Sequence, residues 1–147
     1  MKNKLFIFSN ESIFMQDEKY FCENIDLKSS PEGLNKKFEV ILFGRKSSKK
    51  RAHEIKLKKV RVFSNIFSYL TEVIKSTKVE NSKYLVISIS PYTFITCLFV
   101  KILGKTPIVY LRSDGYGEYK AILGSLGKFI YHLMFNIISL TSNLISC

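Results

Sequence analysis

The residues with the most chemistry in a short span are Arg112, Ser113, Asp114, Gly115 and Gly117, which follow the apolar run Ile108 to Leu111. Arg112 offers a fixed cation whose fork suits phosphate or carboxylate. Ser113 adds a hydroxyl. Asp114 is the candidate catalytic residue, a general base toward a hydroxyl group. Gly115 and Gly117 let the backbone approach a ligand. The plainer reading stands beside this one, because Asp-Gly is a common turn pair and Asp114 can cap a following helix. Ser90-Pro91 ends a neighbouring strand, which makes Ser90 and Tyr92 candidate pocket walls. Elsewhere no nucleophile–base pair or carboxylate dyad occurs. Cys22, Cys97 and Cys147 are far apart without a C-x-x-C, and with only two histidines no zinc site is expected. His132 falls on a polar helix stripe and reads as exposed. No glycine precedes Gly33, so neither a G-x-G-x-x-G loop nor a P-loop follows the first strand.

A second candidate is charge. The 147-residue chain carries +11, and residues 45–61 hold nine basic and one acidic group, net +8 of that total. Arg45, Lys46, Lys49, Lys50 and Arg51 form a candidate contact for an anionic surface, lipid or nucleic acid. The blander reading is a solvated loop followed by an edge strand over Glu54 to Phe63, where lysine discourages aggregation. Aromatic residues do not interleave with these charges, which argues against nucleic-acid stacking.

Residues 84–115 must position the first group. Tyr84 to Ile89 reads as a strand, Ser90-Pro91 as a break, and Tyr92 to Leu103 as a buried helix. Gly104 stops that helix and Pro107 opens the strand Ile108 to Leu111. The unit is β-α-β, with its polar loop at the carboxyl end of a strand, where open α/β sheets place ligands. The apolar run Tyr84 to Val100 approaches membrane-span length, but Pro91 near its middle favours strand and helix. Upstream, Lys4 to Phe8 is a strand with a turn or cap at Ser9-Asn10. A short helix is expected around Met15 to Asn24, a loop over Lys28 to Lys37, and a strand over Phe38 to Phe43 ended by Gly44. A helix follows from the Ser64-Asn65 cap to about Thr77. Downstream come a helix broken near Gly124 and Gly127, then a strand from Asn143. The order is β, β, β, α, β, α, β, α, β, and the final strand suggests the first half of something larger.

From about Lys83 to Cys147 the chain resembles the amino-terminal domain of GT-B glycosyltransferases, family 4 in particular. The resemblance rests on the polar strand end ISISP, the connection Leu103-Gly104-Lys105-Thr106-Pro107, the loop after the next strand, and a long helix leading to a "leucine-isoleucine" strand. Two features depart from that family. The Gly-rich loop after the first strand is missing, and Ser113-Asp114 stand where a histidine is usual.

The resemblance implies a Rossmann-like, doubly wound, mainly parallel α/β domain over 1–147, the amino-terminal half of a GT-B architecture truncated at its carboxyl end. It implies acceptor binding at Ser90, Tyr92, Arg112, Ser113 and Gly115, with Asp114 on the acceptor side. The reaction would transfer a sugar from a nucleotide-sugar to a hydroxyl acceptor, in polysaccharide or lipid-linked glycan synthesis. The donor-binding domain, or a partner subunit supplying it, is expected from elsewhere. No cofactor is expected in these residues, and the isolated chain is expected to lack activity. Without an export signal, and with reduced thiols, the expected setting is cytoplasmic and peripheral at an anionic inner membrane face. The alternative is a non-enzymatic basic module that binds nucleic acid or anionic membrane through residues 45–61.

Overall fold

A computed structural model describes residues 2–146. Among the described residues the fold is mixed α/β, with one eight-stranded sheet and four helices. Strand β1 (Lys4–Gln16) is its axis. It pairs in parallel with β3 (Glu39–Ser47) on one side and β6 (Ser82–Ile87) on the other. Strand β5 (Val60–Phe63) joins β3, β7 (Ile108–Leu111) joins β6, and β8 (Asn143–Ser146) joins β7, all in parallel. Alternation along β1 explains its central place. Leu5 and Ile7 face one apolar layer, while Phe6 and Phe8 face the other. A parallel strand buried on both faces reads as a continuous apolar run, as LFIF does.

The distal half of β1 parts from β6 after Ser9 but stays parallel to β3, through a register shift between Phe8 and Ser12. It forms a hairpin with β2 (Lys19–Cys22), which in turn pairs antiparallel with β4 (His53–Ile55). The turn residues Asp17 and Glu18 both have positive φ, 50° and 61°. That is the geometry of a two-residue primed turn, which matches the twist of its strands. The expected turn at Ser9-Asn10 and helix at Met15 to Asn24 are therefore corrected to continuous strand and hairpin. Asp-Glu carries a turn that Asn-Gly or Asp-Gly usually announces.

Helix α1 (Ile25–Leu34) corrects the loop expected over Lys28 to Lys37. Its Asn24 cap accepts the Asp26 amide at 2.9 Å, and Leu27 and Pro31 are buried. Glu32 accepts Lys28 Nζ at 2.8 Å and the Lys56 amide at 2.7 Å. Burial and these bonds override the Ser, Pro and Gly content of the segment. Strand β3 also runs through Gly44, where it was expected to stop. A Cβ at Gly44 would meet Ile13 Cδ1 at 2.5 Å, so the glycine serves close strand packing. The edge strand expected over Glu54 to Phe63 is divided into β4 and β5.

Helices α2 (Ile66–Thr77), α3 (Pro91–Ile102) and α4 (Gly115–Thr141) cover the opposite face, near their expected positions. The connection Leu103 to Pro107 has a local explanation. Gly104 has φ 82°, its amide donates to Lys101 O, and the Lys105 amide donates to Val100 O, both at 3.0 Å. This is a Schellman stop, and Pro107 prevents the helix resuming. Helix α4 kinks at Gly124, which has φ 63° and ψ −146°.

Burial opposes ionisation of Glu32, but the Lys28 and Lys56 hydrogen bonds and charges outweigh it and hold its pKa below the usual glutamate value. A depressed carboxylate contributes stability above the unfolded-state pKa and loses it as pH falls through the folded value. Glu32→Ala is expected to lower the urea midpoint at neutral pH. Its deficit against wild type should shrink on acidification through that lowered value, and a pH-independent deficit would refute the role given to the charge.

Candidate functional site

Strands β1 and β6 are adjacent and parallel, but their connections leave in opposite directions. The chain after β1 passes through β2 and α1 to β3, and the chain after β6 passes through α3 to β7. The loops therefore separate at the carboxyl ends of these strands. A cleft of about 370 Å³ opens there, walled by residues of β1, β3 and β6, of the connections after β3, β6 and β7, and of the start of α4.

Three guanidinium groups line it. Arg112, at the end of β7, donates from Nη2 to Glu11 Oε1 at 2.8 Å. Arg45, on β3, donates from Nε to Asn10 O at 2.8 Å and lies 5.6 Å from the Tyr92 ring centroid. Arg51 donates from Nε to Ser47 Oγ at 3.2 Å, with Glu23 at 3.9 Å. The carboxylates on the wall are Glu11, paired with Arg112, and Glu118 at the exposed rim, which has no ion pair among the described residues.

Among the described residues, four buried side-chain polar atoms lack a hydrogen-bond partner. Three belong to cleft residues: Asn10 Oδ1, Ser88 Oγ and Arg112 Nη1; the fourth is Ser142 Oγ. Unpaired buried polar atoms are costly, so their concentration in one place calls for an explanation. Ser88 also has φ 61°, a left-handed conformation uncommon for serine. Its backbone is held there from two sides. The Ser88 amide donates to Tyr110 O at 2.9 Å, and Thr93 Oγ1 donates to Ser88 O at 2.9 Å.

The structure brings together Ser90, Arg112, Ser113, Arg45 and Arg51 of the residues expected from sequence. Ser90, however, is occupied by a capping box. Its Oγ accepts the Thr93 amide at 3.3 Å, and its own amide donates to Thr93 Oγ1 at 2.8 Å. Tyr92 stands behind the wall, between Arg45 and the Tyr69 ring 5.6 Å away. Asp114 is exposed and precedes α4 without a side-chain cap bond. Gly115 is buried under Tyr131, whose ring a Cβ would meet at 2.1 Å, so it serves packing. Lys46, Lys49 and Lys50 are exposed and apart from the cleft wall, while Arg45 and Arg51 turn toward it. Asn10, Glu11, Ser88 and Glu118 had no motif to mark them.

Cys22 and Cys97 are free and buried, and burial first of all pushes their thiols up to about 11 and about 12. Neither is a nucleophile at neutral pH. Cys147 lies outside the described residues. His132 is exposed, with its ring nitrogens 2.9 Å from Tyr116 Oη and 3.0 Å from Asn136 Nδ2. No group of three metal-ligating side chains occurs among the described residues. No protein-family model matches the sequence, and neither a curated protein nor a solved structure matches the chain.

Two substitutions separate packing from site strain. Ser88→Gly is expected to raise folding stability by about 1 kcal/mol, since glycine adopts positive φ without steric cost. Gly115→Ala is expected to destabilise by several kcal/mol through overlap with Tyr131. Denaturant melts decide both. A destabilised Ser88→Gly or a neutral Gly115→Ala would contradict these assignments.

Proposed function

We propose that residues 1–147 form a Rossmann-like, doubly wound domain that binds the acceptor in a GT-B glycosyltransferase. Such an enzyme moves a sugar from a nucleotide-sugar to a hydroxyl acceptor in polysaccharide or lipid-linked glycan synthesis. The observation that carries this reading is the cleft at the reversal between β1 and β6. With the antiparallel wing set aside, the sheet order is β5-β3-β1-β6-β7-β8. Numbering only these parallel strands gives 3-2-1-4-5-6, the order of doubly wound folds that bind ligands at the switch point. The family resemblance of residues 83–147 supplies the sugar-transfer chemistry, and these residues would take the acceptor side. The donor site belongs to a second Rossmann-like unit, in the same or another polypeptide.

In this reading Glu118 is the better-placed general base. It lines the cleft one helical turn beyond Asp114, the base expected from sequence. Arg112 and Ser113 contact the acceptor, and Ser90 holds the start of α3 in place.

The setting proposed is the cytoplasmic face of an anionic membrane. On α4, Leu126, Phe129, Leu133, Ile137 and Leu140 are 41–86% exposed, at spacings of three and four residues. These spacings put them along one side of the helix. Lys120 and Lys128 are exposed, and residues 119–147 contain no Asp or Glu. Apolar side chains and lysines on one element suit shallow insertion among anionic headgroups. The helix is long and apolar enough to span a membrane, but the Gly124 kink and burial of Tyr131, Met134 and Ile138 fit a helix lying on the sheet.

Titration of the isotope-labelled chain with a panel of glycans, followed by amide shifts, tests the reading. Shifts are expected at Asn10, Ser88, Arg112 and Glu118. No shift with any glycan, together with salt-sensitive nucleic-acid binding centred on residues 45–61, would replace it with the basic-module alternative. Liposome sedimentation tests the setting. Binding should require anionic lipid and be lost in the Phe129→Asp/Leu133→Asp double variant. Unchanged sedimentation of that variant would remove α4 from the contact.

A further inference from the structure

We infer that the cleft contains a subsite for a phosphoryl anion, formed by Arg112, Arg45, Arg51 and Ser88. The inference deepens the acceptor-side reading and rests on its choice of cleft. Arg112 uses one limb of its fork. Nη2 is held by Glu11, while Nη1 is buried and has no partner among the described residues. Arg45 is anchored through Nε to Asn10 O, and Arg51 through Nε to Ser47 Oγ. Anchoring at Nε fixes each guanidinium and leaves the terminal nitrogens of Arg45 for a ligand, while Arg51 Nη1 also lies 3.9 Å from Glu23 Oε2, an exposed carboxylate that an anion would compete with. Ser88 adds a buried hydroxyl without a partner, on a backbone held at positive φ.

Among the described residues, the protein's own atoms do not satisfy this set. An arginine with half its fork unsatisfied, and a serine strained beside it, both cost stability. Their common feature is that both residues line the cleft. A carboxylate would satisfy one fork. Three guanidinium groups, from β3, the loop after it and the turn after β7, line the cleft with a serine just after β6, so cationic donors reach it from separate elements. That arrangement suits a tetrahedral group with three or more acceptor oxygens, which charge-assisted bonds from arginine favour. Glu11 is a positioning residue, because it orients Arg112 and consumes one positive charge. Glu118 stands at the rim, where a hydroxyl attached to the phosphorylated ligand could meet it. The phosphoryl group could come from a phosphorylated acceptor or from the diphosphate of a nucleotide-sugar.

Calorimetric titration of the whole chain with inorganic phosphate and with pyrophosphate, in chloride buffer, tests the subsite. Wild type should show saturable binding, tighter for pyrophosphate. Arg112→Lys keeps the charge but loses the fork, and should weaken binding about tenfold. Ser88→Gly relieves the backbone, folds at least as well, and should weaken binding at least threefold. Lys49→Ala/Lys50→Ala should leave binding within about twofold. Absence of saturable binding in wild type overturns the inference, as does equal affinity in Arg112→Lys and Ser88→Gly. Displacement of pyrophosphate by an alkyl phosphate supports the subsite and assigns it to an acceptor. Displacement by a nucleoside diphosphate sugar supports it and assigns it to the donor. Neutral glycan binding in the cleft without phosphate binding would remove the subsite and leave the acceptor reading. Phosphate binding without binding of any glycan would do the reverse.

Discussion

The parallel pairing of β1 with both β3 and β6 is the constraint on which the rest depends. It places Ile7 and Phe8, both fully buried, at the centre of two apolar layers. On one side lie Leu27 of α1 and the β3 residues Val40 and Leu42. On the other, Phe8, Phe43, Tyr69 and Tyr84 form an aromatic cluster, with Phe8 and Phe43 edge to face at 4.8 Å. Aromatic pairs in this geometry add to the gain from burial itself. The same pairing sends the flanking connections apart and opens the cleft. The packing that stabilises the sheet and the opening that offers a site are therefore two consequences of one strand.

That opening is walled by polar residues that the packing alone does not use. Arg112, just after β7, meets Glu11, two residues beyond the β1 segment that pairs with β6, with side chains 18% and 27% exposed. A partly buried pair of this kind is worth more for orientation than for stability, because desolvation offsets much of the attraction. The antiparallel wing of β2 and β4 then rises beside the cleft where a glycine-rich loop is absent. Backbone amides of such a loop cradle phosphate in many α/β proteins. Here side-chain cations occupy the comparable end of the sheet, so the chemistry of anion recognition is carried by arginine.

Much of the second half of the chain was legible in sequence. Helix α2 showed apolar residues at helical spacing behind an asparagine cap. The strand, Ser-Pro break and helix of β6 and α3 were marked by composition. Two failures in the first half have one cause. The Asp17-Glu18 turn and the Pro31-containing helix α1 are sustained by strand pairing and burial, which override weak local preferences. The site was partly legible. Arg112 and Ser113 stood out as an abrupt polar change after an apolar strand. Glu11 did not, because its partner is 101 positions away and no local pattern connects them. Ser88 was hidden as a small residue near a strand end, and its importance lies in a dihedral angle. Part of the basic run misled in the opposite direction. Its charge density suggested one surface, yet β3 and the Ser47 turn direct Arg45 and Arg51 to the cleft and leave the lysines in solvent.

The central claim is that the opening between β1 and β6 is a ligand site built to hold an anion. A crystal structure of the chain soaked with pyrophosphate tests it most directly. The account predicts the anion within about 3 Å of Arg112 Nη1 and Ser88 Oγ, with Arg45 or Arg51 as a further donor. An anion bound only at Lys49 and Lys50, or a cleft that stays filled by solvent at saturating pyrophosphate, would contradict it.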